Sequence, residues 1–363
     1  MPGVFDADTH IVEGPDVWRF MDTLQERKPV LVTVPEPTSE AMREVYWLID
    51  GNIFPKPGGT KGSMALHTPT RSKQELARSD TSLACRELTD IPARLSDMDK
   101  AGIEIQVIYP TIFLAYLTDD TDLEVALSRA YNSFLADACA RSNGRMRWVA
   151  PLPLRSVNAS IDEMRRVKAL GAVGLFFRGV EGSRSLAEPY FYPIFEEANA
   201  LDLPICIHIG QGSPQISGLF DVSLSHTFPQ SRVLPLMAFR DIVANQIPEK
   251  FPNLRFGFIE ATASWVPFLL HFLKREERRQ TRSDWGPDLF ERYRLYVACE
   301  SDEDLSYLVE FTGEGHIITG SDYGHADQSA EFTLVQSMRS REDVPNRVIE
   351  KILCENARSL YSL

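Results

Sequence analysis

The chain has 363 residues, 44% of them hydrophobic, with 51 acidic against 38 basic side chains and a net charge of −13. That length and apolar fraction suffice for one large core without disulfides or bound partners. The acidic balance, without any lysine–arginine run, argues against nucleic acid and anionic membrane surfaces, and no apolar run reaches the ~18 residues of a membrane span.

The first predicted strand, Val4–His10, carries Asp8 and His10 two residues apart, so both point to one face. The stretch 14–92 is rich in proline and glycine, including Pro55-Lys56-Pro57-Gly58-Gly59. It is too long for an ordinary strand-to-helix connection and reads as an insertion, part helical and part lid. Strand Glu104–Pro110 follows, then a helical pattern over Leu123–Ser142, strand Arg147–Pro151 and helix Ala159–Leu170. Strand Ala172–Phe177 runs directly into Arg178, and helix Tyr190–Ala200 leads to strand Pro204–Ile209, which carries His208. A second long loop, Gly210–Ser231, contains His226. Strand Arg255–Glu260 ends in a carboxylate, and helix Trp265–Arg279 includes His271, read as a packing residue. Strands Arg294–Cys299 and His316–Ser321 come next, with Asp322 and His325 just beyond the last. Helix Pro345–Leu360 closes the chain, with its proline near the first turn.

Apolar strands alternating with helices predict an α/β fold with a parallel sheet covered on its outer face. Eight such units favour a single (β/α)8 TIM barrel over 1–363, with the 14–92 insertion after its first strand. Loops after barrel strands lie over the C-terminal face, where active sites form. The five cysteines (Cys85, Cys139, Cys206, Cys299, Cys354) are scattered, with no C-x-x-C pair. They read as reduced thiols, Cys206 and Cys299 as core residues. With no basic-plus-apolar leader, they give the expectation of a cytoplasmic protein.

The chemistry gathers where the strands end. Asp8 and His10 end the first strand, His208 the fifth and Glu260 the sixth, and Asp322 follows the eighth. Burying such charged groups without partners costs several kcal/mol, and a divalent metal is the simplest common partner. Glu260 could shuttle a proton, ligate the metal or anchor a loop. Arg178 could clamp a substrate carboxylate or pair with a loop acid. His226 is a candidate proton donor or a solvated loop residue, and His325 a candidate contact to substrate or to the ligands.

The segments Asp6-Ala7-Asp8-Thr9-His10, Cys206-Ile207-His208 and Gly320-Ser321-Asp322-Tyr323-Gly324-His325 resemble the amidohydrolase superfamily. The likeness is to the branch containing amino-carboxymuconate-semialdehyde and resorcylate-type decarboxylases. Phe258-Ile259-Glu260-Ala261-Thr262-Ala263-Ser264-Trp265-Val266-Pro267 and the ending from Glu350 to Tyr361 resemble it too. The resemblance implies one divalent ion, Zn²⁺, Mn²⁺ or Fe²⁺, held by Asp8, His10, His208 and Asp322. It implies a non-oxidative decarboxylase of a small carboxylated aromatic or enone-like acid, with Asp322, Glu260 or His226 as the acid. The branch has a histidine where this chain has Glu260. That departure favours the alternative, a metal-dependent hydrolase of an amide, ester or activated C–C bond. A homodimer acting on a small molecule is expected.

Overall fold

The computed structural model describes residues 3–33, 45–54, 81–219, 232–280, 288–325 and 329–363. Eight parallel strands form the barrel: β1 Val4–His10, β2 Ile103–Tyr109, β3 Met146–Pro151, β4 Gly174–Arg178, β5 Ile205–His208, β6 Phe256–Ile259, β7 Leu295–Cys299 and β8 Ile317–Thr319. Each predicted strand overlaps its counterpart. All seven residues of β1 are buried. A barrel strand packs side chains inward and is covered by helices outward, so even the polar Asp6, Asp8 and His10 of this strand are buried.

Closure comes from the segment beyond β8. Asp322 N donates to Asp8 O at 3.0 Å and His10 N to Tyr323 O at 2.6 Å. Gly320 allows the approach, because a Cβ there would lie 2.3 Å from Asp8 Cβ.

The outer helices begin on side-chain caps that satisfy their first N–H groups. Asp90 accepts from Ala93 N before Ile91–Ala101, Asp120 from Leu123 N before Thr121–Ala140, and Ser156 from Ala159 N before Val157–Ala169. The last predicted helix departs from regularity. It is helical over Asn346–Glu350, π-helical over Lys351–Glu355 and helical again over Asn356–Tyr361. Asn356 Nδ2 there donates to Ile317 O at 2.7 Å, tying the widened turn to β8. Tyr361 reaches the barrel interior, donating to Ala7 O at 2.9 Å while standing 2.7 Å from Tyr109 Oη.

The described part of the 14–92 insertion contains two 3₁₀ turns, a short helix at Leu83–Arg86 and an antiparallel sheet of Val30–Thr33, Val45–Ile49 and Asn52–Phe54. The sequence pattern does not disclose those short strands. Trp18 packs edge-on against Trp47 at 5.9 Å, and Arg27 donates to Asp50 at 2.6 Å and Asp120 at 2.7 Å. Residues 34–44 and 55–80 of this insertion, expected to be part helical and part lid, lie outside the described residues, and so does His226. His271 is exposed on its helix rather than packed. All five cysteines are buried and unbridged. No described helix is long and apolar enough to cross a membrane.

Candidate metal centre

β1, β5, β6 and the turn after β8 bring Asp8, His10, His208, Glu260 and Asp322 to one end of the barrel, all buried. His10 Nε2 lies 3.5 Å from Asp8 Oδ1, 3.5 Å from Asp322 Oδ1 and 3.7 Å from Glu260 Oε2. His208 Nε2 lies 3.4 Å from Asp8 Oδ1 and 3.3 Å from Glu260 Oε2. Two donors about 2.0–2.2 Å from one ion, at angles between octahedral and tetrahedral, stand about 2.8–3.6 Å apart. The observed spacings fall close to that range. Asp8, His10, His208 and Glu260 offer ligand atoms all within 4.8 Å of one another, as do His10, Glu260, Asp322 and His325.

The imidazoles are turned for ligation by their other nitrogens. His10 Nδ1 lies 3.1 Å from Pro110 O and His208 Nδ1 2.9 Å from Ile209 O. A carbonyl only accepts, so each Nδ1 carries hydrogen and each Nε2 lone pair faces the carboxylates. Asp8 Oδ1 and His208 Nε2 are buried with no hydrogen bond. Burial opposes protonation of His208, yet the Asp8 and Glu260 carboxylates outweigh it and hold its pKa above the ordinary value. A cation would take the place of that proton. The donor set therefore fits a divalent metal.

Backbone strain sits at both incoming carboxylates. Glu260 has φ +56° and Asp322 φ +51°, left-handed values that non-glycine residues seldom adopt. Such conformations persist where the surrounding structure enforces them, commonly at active sites.

Further residues hold the cluster. Asp6 accepts from Ser321 N at 2.7 Å and Ser321 Oγ at 2.6 Å, fixing the residue before Asp322. Burial pushes the Asp6 pKa up to about 6 against the lowering effect of those bonds. Buried Arg94 donates to Gln106 Oε1 at 2.9 Å and His10 O at 3.0 Å. Glu13 accepts from Thr111 N at 2.9 Å and Ile112 N at 3.0 Å. Thr111 Oγ1 donates to Ile11 O at 2.5 Å and so accepts from His325 Nε2 at 2.8 Å. His325 Nδ1 then faces Asp322 Oδ1 at 2.8 Å. Strand parity with Asp8 exposes Asp6 to sequence reasoning. Glu13, Arg94 and Thr111 give no local signal, because their partners are remote in the chain.

Arg178 ends β4 beside His208 in the strand register, with its guanidinium already engaged. Its Nε donates to Glu181 Oε2 at 3.1 Å, its Nη2 to the same carboxylate, and its Nη1 to Ala115 O at 2.6 Å. The pairing with a loop acid is the arrangement present.

The sequence profile of the amidohydrolase family matches residues 6–363. The chain belongs to that family. Among relatives of this amidohydrolase, a gamma-resorcylate decarboxylase from Rhizobium radiobacter is 30% identical over 135 residues, 35% of this chain and 41% of that protein. The matched stretch is thus under half of that relative's length. A 2-amino-3-carboxymuconate-6-semialdehyde decarboxylase from Dictyostelium discoideum is 22% identical over 286 residues, 76% of this chain and 77% of that one. An amidohydrolase from Mycobacterium avium subsp. paratuberculosis shares the fold, with a TM-score of 0.78 at 18% identity over 99% of this chain and 98% of its own.

Proposed function

We propose that this amidohydrolase is a metal-dependent, non-oxidative decarboxylase of a small carboxylated aromatic or enone-like acid. The observation that carries the reading is the buried ring of Asp8, His10, His208 and Asp322 at the barrel mouth, in a chain whose matched relatives bear decarboxylase names. These four residues would hold one divalent ion. When bound, that ion supplies positive charge opposite the negative charge that develops as CO₂ departs.

The chain's own groups manage the proton. Thr111 gives its hydroxyl hydrogen to Ile11 O, so His325 donates through Nε2 and presents Nδ1 to Asp322. A proton held between His325 Nδ1 and Asp322 is the one delivered to carbon. The C–C bonding pair stays on the substrate carbon, that carbon takes the proton, and CO₂ leaves. The site's burial keeps water from competing.

Glu260, where the branch has a histidine, favours a second reading. In it the same residues serve hydrolysis of an amide, ester or activated C–C bond, with Glu260 protonating the leaving group. Metal-loaded protein should release CO₂ from hydroxylated aromatic acids and no ammonia or carboxylate from amides and esters. The opposite pattern would establish the second reading. Asp322→Asn should abolish CO₂ release even in metal-bound protein, and near-wild-type turnover would remove Asp322 from the mechanism.

A further inference from the structure

We propose that Glu260 is itself a ligand to the divalent cation. It is a fifth protein donor that makes the centre carboxylate-rich and suited to a hard ion of high coordination number such as Mn²⁺. The inference rests on the metal-site reading, holds whether or not the site decarboxylates, and takes from Glu260 the leaving-group acid role of the hydrolytic reading.

Its two oxygens face different surroundings. Oε2 lies 3.3 Å from His208 Nε2 and 3.7 Å from His10 Nε2, the two lone pairs already turned inward. Three electron-rich atoms so placed repel one another unless a cation sits among them. Oε1 lies on the far side, 3.9 Å from Arg232 Nη2. Arg232 is fixed in turn, its Nη2 donating to Ser329 Oγ at 2.6 Å and its Nη1 to Glu260 O at 3.2 Å. Oε2 thus faces the two imidazoles, where a cation would sit, and Oε1 stands toward the guanidinium.

Charge agrees with that assignment. Asp8, Glu260 and Asp322 bring three negative charges, the two imidazoles none. A divalent ion together with the proton held between His325 and Asp322 balances them, and Arg232, 3.9 Å from Glu260 Oε1 and 3.9 Å from Glu300 Oε1, adds a positive charge beside the ring. The left-handed φ of +56° at Glu260, followed by +59° at Thr262, aims this carboxylate inward from the end of β6. Oxygen donors select Mn²⁺ or Fe²⁺ over the four-coordinate geometry usual for Zn²⁺.

The test uses the full chain loaded with Mn²⁺ or Co²⁺ at saturation. In Glu260→Ala the vacated position either fills with water or stays open. Water raises the relaxation that bound Mn²⁺ imposes on solvent protons by about one inner-sphere water, and an open position strengthens the visible absorption of bound Co²⁺. Either result supports the ligand. Preference for Mn²⁺ over Zn²⁺ should fall about tenfold or more in the same variant. Glu260→Asp keeps the charge beside Arg232 but is too short to reach the ion, and should behave as Glu260→Ala does. Water relaxation and Co²⁺ absorption both unchanged from wild type would overturn the proposal. No readout uses turnover, so failure of the decarboxylase reading and failure of this one are separately visible.

Discussion

Gly320→Ala tests the link between barrel closure and the metal centre. The added Cβ would lie 2.3 Å from Asp8 Cβ, 2.8 Å from Asp8 N and 2.9 Å from Asp8 Cα. Comfortable carbon–carbon contact is about 3.5–4.0 Å. The obstructing atoms are backbone or Cβ, which cannot rotate aside. β1 and the turn after β8 must therefore part by roughly 1 Å or more, a forced overpacking that costs about 1–3 kcal/mol. The same shift carries Asp8 away from His208 and Asp322, and a displacement of about 1 Å at a catalytic constellation costs on the order of 100-fold in rate. The assay pairs calorimetric unfolding with metal content after chelation and reloading. Gly315→Ala, where an added Cβ meets nothing within 4 Å, is the control. Gly320→Ala should unfold earlier and retain less metal than the control. Equal unfolding temperature and equal metal affinity would refute the idea that this glycine sets the ligand geometry.

Three other outcomes are expected. His208→Ala should lose most bound metal, and normal content by elemental analysis would remove His208 from the ligand set. Glu13 is buried and its pKa is pushed up to about 8 from 4.5 by desolvation, against its backbone hydrogen bonds. Between those values the folded chain holds a proton that the unfolded chain has released, so stability falls as pH rises through that window. The loss is on the order of 4–5 kcal/mol. Urea melts should show this slope flattened in Glu13→Gln, and a wild-type-to-variant difference that does not change with pH would contradict it. Arg178→Gln strands the Glu181 carboxylate in a buried position, so chemical denaturation should register a loss of about 3–5 kcal/mol. A loss under about 1 kcal/mol would show that the pair carries no structural load.

Much of the barrel is legible in the residues themselves. Apolar runs such as Ile205-Cys206-Ile207 and Val297-Ala298-Cys299, set between helical patterns, read as strands buried on both faces and point to a parallel sheet. The insertion's sheet escaped that reading because its strands lie in a proline- and glycine-rich stretch without the intervening helical patterns that mark the barrel strands. The break in the final helix escaped it too, since Asn356 acts through carbonyls on another element.

The same division holds at the metal centre. Asp8, His10, His208, Glu260 and Asp322 stand out in sequence because each ends an apolar strand, and a barrel collects strand ends on one rim. Which of them face one another, and how each imidazole is turned, depends on where Pro110 O and Ile209 O fall. That Arg178 is occupied by Glu181, and that Arg232 backs Glu260, likewise appears only in three dimensions. Periodicity is local and survives in a string of letters. The facing of two side chains from distant strands is set by closure and register, which only the folded chain possesses.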